Sequence, residues 1–284
     1  MDSEPDQFDM TTDTGRTVED RLADRIEMSV PDRHNPRLHE LIERVNADDD
    51  LYALWTAANV NAIERLGMTD HGPVHVKIVL NIATRLLRLL MDGGIVPGVV
   101  ENYGMDKQDA EVVVALAALL HDLGMSIHRV DHEAYSLFIA QRKLDTLLVG
   151  IYPPGVATII RSEVLHAIIS HRTGGQPLTI EAGVVRIADA LDMAKGRSRI
   201  PFEAGSVSIH SVSAAAIEEI KIERGEERPI RIRILMSNSA GVFQLDQLFR
   251  GKLRGSGLEA HVELEAELLG EGETEKRLFT EFKI

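Results

Sequence analysis

From residue 36 to about residue 200, apolar positions recur three and four apart, the spacing of one helix face. The run "PRLHELIERV" is the first of these stretches. "DDDLYALWTAANVNAIERLG" follows, with Asp residues suited to an N-cap and Gly67 as a stop. "TDHGPVHVKIVLNIATRLLRLLMDGG" predicts a long helix, with Thr69 or Asp70 as N-cap, Pro73 in the first turn and Gly93–Gly94 at the end. "MDKQDAEVVVALAALLHDLGM" is apolar on nearly every face and so predicts a buried helix ending at Gly124. "DHEAYSLFIAQRKLDTLL", "PPGVATIIRSEVLHAIISHRTGG" and "LTIEAGVVRIADALDMAKGRSR" complete the helical series.

After Pro201 the period changes. "SVSIHSVS", "IEEIKIE", "IRIRILMS", "HVELEAEL" and "KRLFTEFKI" alternate with period two and predict strands, with one helical stretch, "GVFQLDQLFRGKL", among them. The expected architecture is therefore mainly α: an acidic, flexible arm at 1–32, an all-α domain at 33–202, and a small α+β accessory domain at 203–284.

Composition narrows the class. The chain of 284 residues carries a net charge of −14, and residues 1–32 hold ten acidic side chains against three arginines. Such a chain is a poor partner for long nucleic acid, whose phosphates call for Lys and Arg. The absence of cysteine excludes thiolate metal sites and disulfides and fits a cytoplasmic protein. The opening "MDSEPDQFDM" has no apolar signal core, and no stretch is long and charge-free enough to span a bilayer, so no membrane partner is expected.

The histidines are unevenly placed: seven of eleven fall between 71 and 171, near helix ends or on helices otherwise built for packing. His71 and His75 are four apart and share a face. His121 and Asp122 are adjacent at the end of the most apolar helix, where a buried carboxylate is costly unless something pairs with it. His128, His132, His166 and His171 follow, then Asp189 and Asp192. Singly, each has an ordinary explanation: a hydrogen-bonded core histidine, a cap, or an acid paired with Arg186 or Arg197. Together, imidazoles and carboxylates suit a divalent ion such as Mn, Fe, Co, Ni or Zn.

The ordered set "HVKIV", "LLHDLG", "DHEAYS", "AIISHRTGG" and "RIADALD" resembles the HD-domain metal-dependent phosphohydrolase superfamily over residues 70–200. The resemblance implies that His75, His121, Asp122 and Asp189 hold one divalent metal ion (Mn, Fe, Ni, Co, Zn or Mg). It implies that His132 and His171 serve a second ion or a phosphate, with Asp122 bridging. His128, His132 and His171 become candidates for catalysis beside Asp122. His166 is expected to be structural, because five residues of helix turn it about 140° from His171. Asp192 is expected to support rather than to bind. The chain departs from many relatives at Met125, where they carry Lys. Arg129, Arg172 and the cluster Lys195, Arg197 and Arg199 are candidate substitutes for that charge, and His71 is a candidate substrate contact.

The implied activity is hydrolysis of a small phosphorylated substrate, such as a nucleotide, by metal-activated water. The same scaffold also permits a di-iron oxygenase, and a nucleotide sensor without catalysis is a third reading. A homodimer through the C-terminal domain is the expected assembly.

Overall fold

The structure is a computed structural model that describes residues 15–193, 215–243, 245, 249–269 and 281–283. The helices of the N-terminal part are α1 (Val18–Ala23), α2 (Pro36–Asn46), α3 (Asp49–Asn59), α4 (Pro73–Asp92), α5 (Gly98–Tyr103), α6 (Lys107–Leu120), α7 (His132–Leu147), α8 (Pro154–Ser170) and α9 (Ile180–Leu191). Helix α6 lies at the centre. Every residue from Asp109 to Leu120 is buried, as its nearly uninterrupted apolar sequence requires. It packs against α4, α8, α9, α2 and α5.

Local chemistry explains most boundaries. Asn35, Asp48, Asp106 and Thr179 accept a backbone N–H at the starts of α2, α3, α6 and α9. Pro opens α2, α4 and α8 at the first turn. The expected cap of α4 is shifted. Gly72 occupies the N-cap, and Asp70 reaches forward from outside to accept the N–H groups of Gly72 and His75, at 3.0 and 3.1 Å. The run after α3 continues as a π-helical turn, Val60–Arg65, before Gly67 ends it with φ +61°.

The N-terminal arm requires correction. Residues 1–14 lie outside the described residues, but 15–32 are laid against the bundle. Met28 is buried in the main core, and its backbone N–H and carbonyl both bond the Asn46 amide, at 2.8 and 2.9 Å. Arg21 pairs with Glu64, and Arg88 reaches the Pro31 carbonyl. The many acidic residues of this arm hid the two buried apolar ones, Met28 and Val30, that anchor it.

The C-terminal part is a four-stranded sheet in the order β1 (Ile217–Arg224), β2 (Ile230–Met236), β3 (Val262–Leu268), β4 (Glu281–Lys283). The molecule is thus mainly α with a small α+β part. Ile230, Ile232, Ile234 and Met236 face inward, while Arg231 and Arg233 pair outward with Glu263, Glu265 and Glu267. The expected strand "SVSIHSVS" lies outside the described residues. Strands β2 and β3 pair in parallel, so the chain between them must cross over. This crossover carries the helical turn Arg250–Leu253, which packs on α9. The sheet shares one continuous core with the bundle, and β1 and β2 lie on α4.

Candidate metal centre

The ends of five helical segments meet at one buried point. His75 comes from the first turn of α4, His121 and Asp122 from the end of α6, and His132 from the start of α7. His171 caps α8, and Asp189 lies in the last turn of α9. Their rings form a string, with centroids 5.1 Å apart for His75 and His121, 5.0 Å for His121 and His171, and 5.7 Å for His171 and His132.

The donors fall into two groups that share Asp122. On one side, its Oδ2 lies 3.3 Å from His75 Nε2 and 3.4 Å from His121 Nε2. The two Nε2 atoms are 3.1 Å apart, and Asp189 Oδ1 closes the group at 3.6 and 3.8 Å from them. On the other side, Asp122 Oδ1 lies 3.2 Å from His132 Nε2 and 3.6 Å from His171 Nε2. Donors each about 2.1 Å from a shared ion stand roughly 3.0–3.4 Å apart, so these spacings suit coordination.

The outward-facing nitrogens decide the tautomers. His121 Nδ1 meets the Ala118 carbonyl at 2.9 Å, and His171 Nδ1 meets that of Ile168 at 2.6 Å. His75 Nδ1 meets the Asp192 carboxylate at 2.6 Å. Acceptors at these positions require Nδ1 to carry the proton, which leaves Nε2 bare and aimed inward. His132 Nδ1 faces the Arg129 carbonyl at 3.0 Å and Glu133 at 3.1 Å, both acceptors, although the Arg129 guanidinium also lies 2.8 Å away. The guanidinium only donates and the other two only accept, so the His132 tautomer is not fixed by its neighbours as the other three are. Bare imidazole nitrogens and carboxylate oxygens repel one another, and what reconciles them in a dry pocket is a cation. The residues present therefore fit a divalent metal ion.

The same crowding perturbs the titrating groups. Without an ion, protons taken up on the inward nitrogens of His121, His132 and His171 do its work: burial pushes the Asp122 carboxyl up, but these imidazoles outweigh burial and hold it well below the usual carboxylate range. Asp189 is likewise lowered. Burial raises it, while Lys252 and the neighbouring imidazoles more than offset that. Burial lowers His171, whereas at His132 the Asp122 and Glu133 carboxylates overcome burial and raise it.

Surrounding residues hold the frame. A Cβ on Gly124 would stand 1.9 Å from the His132 carbonyl oxygen, so only glycine lets the turn after Asp122 meet the start of α7. Its N–H donates to Ser136 Oγ at 2.8 Å. Trp55 Nε1 donates to the Leu119 carbonyl and Asn61 Nδ2 to that of Met125, capping the end of α6 and the turn beyond it. Neither residue carries a sequence signal for this role.

The expected site residues separate clearly. His75, His121, Asp122, His132, His171 and Asp189 converge. His71 lies one ring further out, 5.5 Å from His75, with Nδ1 on the Thr69 carbonyl. Arg129 sits beside His132, as above. His128 is exposed and accepts the Val130 N–H. Arg172 is exposed, and its carbonyl is taken by Arg186. His166 stands apart from the converging donors and accepts the Leu178 N–H at 3.0 Å. Arg186 bonds backbone carbonyls, correcting its possible pairing with Asp189 or Asp192. Met125 is buried with Ala58, Ala62 and Met68, away from any charge-bearing role. Lys195, Arg197 and Arg199 lie outside the described residues. Lys252, in the crossover, was missed. Its Nζ donates to the His171 carbonyl and lies 3.2 Å from Asp189 Oδ2.

Comparison with known proteins agrees with this geometry. The HD domain family model matches residues 74–194, the span that holds every converging donor. The chain belongs to that family and so to a superfamily of metal-dependent hydrolases. It is similar to Uncharacterized protein MJ1020 of Methanocaldococcus jannaschii, at 42% identity over 227 residues that span 80% of this chain and 86% of that protein. No solved structure matches the chain. No helix among the described residues is long and apolar enough to cross a membrane.

Proposed function

We propose that the chain is a phosphohydrolase acting on a small phosphorylated substrate, a nucleotide being the leading class. The observation that carries this reading is the bridged donor set: Asp122 turns one oxygen to His75 and His121 and the other to His132 and His171. A divalent cation held there supplies Lewis-acid polarisation of a phosphoryl oxygen and acidifies water. Asp122 and Asp189 balance that charge, and the imidazoles of His75, His121 and His171 keep their donor nitrogens unprotonated through outward hydrogen bonds. Burial excludes bulk water from every donor except at Asp189. Arg129, whose guanidinium lies 2.8 Å from His132 Nδ1, and His71, whose ring is 5.5 Å from that of His75, are candidate substrate contacts, with His128 a further candidate in the exposed loop before α7. A small substrate is favoured because the chain's charge of −14 repels a polyanion.

The test is elemental analysis of protein purified without chelator or affinity metal, followed by a screen of phosphorylated nucleotides with the ion found. One or two equivalents of Mn, Fe, Co, Ni or Zn and metal-dependent phosphate release are expected. A loaded protein that oxidises substrates under air and releases no phosphate would replace this reading with the oxygenase one.

A further inference from the structure

We propose that Lys252, carried into the metal centre by the crossover of the C-terminal sheet, is a substrate-binding residue that receives a phosphoryl oxygen. This rests on the phosphohydrolase reading and deepens it.

Lys252 lies beside the most exposed donor of the centre. The side chains of His75 and His121 are 0% exposed, those of His171, Asp122 and His132 are 3%, 4% and 7% exposed, and Asp189 is 20% exposed. Lys252, beside Asp189, is 19% exposed. Asp189 is thus the most exposed of the six donors, and Lys252 lies against it. Asp189 divides its oxygens accordingly: Oδ1 faces His75 and His121, and Oδ2 faces Lys252. The lysine therefore leaves the donor group intact rather than filling it.

Its position is built. Arg186, buried in α9, donates to the carbonyls of Lys252 at 2.8 Å and Gly251 at 3.3 Å. The same guanidinium holds Ser170, Arg172 and Gly175, the turn that contains His171. One arginine thus registers the lysine against a metal-binding histidine. Gly183 on α9 allows the contact, since a Cβ there would stand 2.3 Å from the Ser256 carbonyl oxygen.

A structural role alone does not account for the charge. An ammonium beside a metal-binding carboxylate weakens the cation's hold through like-charge repulsion, unless an anion joins them. An ammonium has three donors, and among the described residues this one meets two acceptors, the His171 carbonyl and Asp189 Oδ2. The third donor suits a phosphoryl oxygen, with which charge-assisted bonds are short and strong.

The experiment titrates the full-length, metal-loaded protein with inorganic phosphate by calorimetry and measures bound metal in parallel. Lys252→Ala is expected to weaken phosphate about 10- to 100-fold with metal content unchanged, and Lys252→Arg to recover most of it. Lys252→Met keeps the aliphatic stem and decides the matter if the alanine variant does not fold. Unchanged phosphate affinity in these variants overturns the inference and leaves the phosphohydrolase reading standing. Loss of metal along with phosphate also overturns it, and makes Lys252 a positioning residue for Asp189. A loaded wild type that binds no phosphate and releases none from any nucleotide removes both.

Discussion

Two buried carboxylates at opposite ends of helix α6, Glu111 and Asp122, are solved differently. Glu111, near its start, accepts from Arg88 Nε at 2.6 Å and Asn35 Nδ2 at 2.9 Å, with His34 at 3.0 Å. Asp122, just past its end, meets imidazoles whose protons are committed elsewhere. The first acid brings its counter-charge from the protein, and the second is surrounded by acceptors and is complete only with an added cation. Another buried acid, Glu181, takes a further route by accepting the N–H groups of Gly98 and Val99 at the start of α5. Burial of an acid is therefore uninformative by itself. What its neighbours still have to donate separates a structural site from a metal site.

Four measurements would break or sharpen this contrast. Asp122→Ala removes the bridge, and phosphate release should fall on the order of 10³-fold or more together with bound metal. Retained metal and turnover would erase the distinction from Glu111. Asp192→Ala unlocks the His75 tautomer, and metal affinity measured by competition with a chelating dye should fall roughly 10- to 100-fold. Arg88→Ala strands Glu111. Because Arg88 is partly exposed and His34 and Asn35 remain, the cost should be about 2 kcal/mol in chemical denaturation, with metal content intact. The smallest effect is pH-linked. Burial raises the Glu111 carboxyl, but Arg88, Asn35 and His34 outweigh it and lower it below 4.5. A group depressed in the folded state contributes fully above its unfolded pKa and loses that contribution as pH falls through the folded value. Melting temperature should therefore drop more steeply between about pH 5 and pH 3 in wild type than in Glu111→Gln.

The converging donors were legible because each stands beside a helix boundary marked by Gly, Pro or a polar cap, so order along the chain translated into proximity. Asp192 was readable as a support but not as the partner of His75, since its position past the end of α9 depends on tertiary packing. Helix α5, "GVVENY", is too short to show a period, and the π-helical turn after α3 looks like ordinary helix in its apolar spacing. The anchoring of 15–32 was obscured by charge. Lys252 was invisible for a topological reason: it lies 63 residues beyond Asp189, in a region whose strands read as an accessory domain. Only the parallel pairing of β2 with β3 returns it to the bundle.

Gly124 has a last consequence. Its contact with the His132 carbonyl sets backbone directly against backbone, on the short path between the two halves of the Asp122 bridge. No rotamer can yield there, so the gap between the two donor groups behaves as a fixed gauge cut into the main chain. Side-chain changes can empty either half, but rescaling the gap would require rebuilding the turn itself.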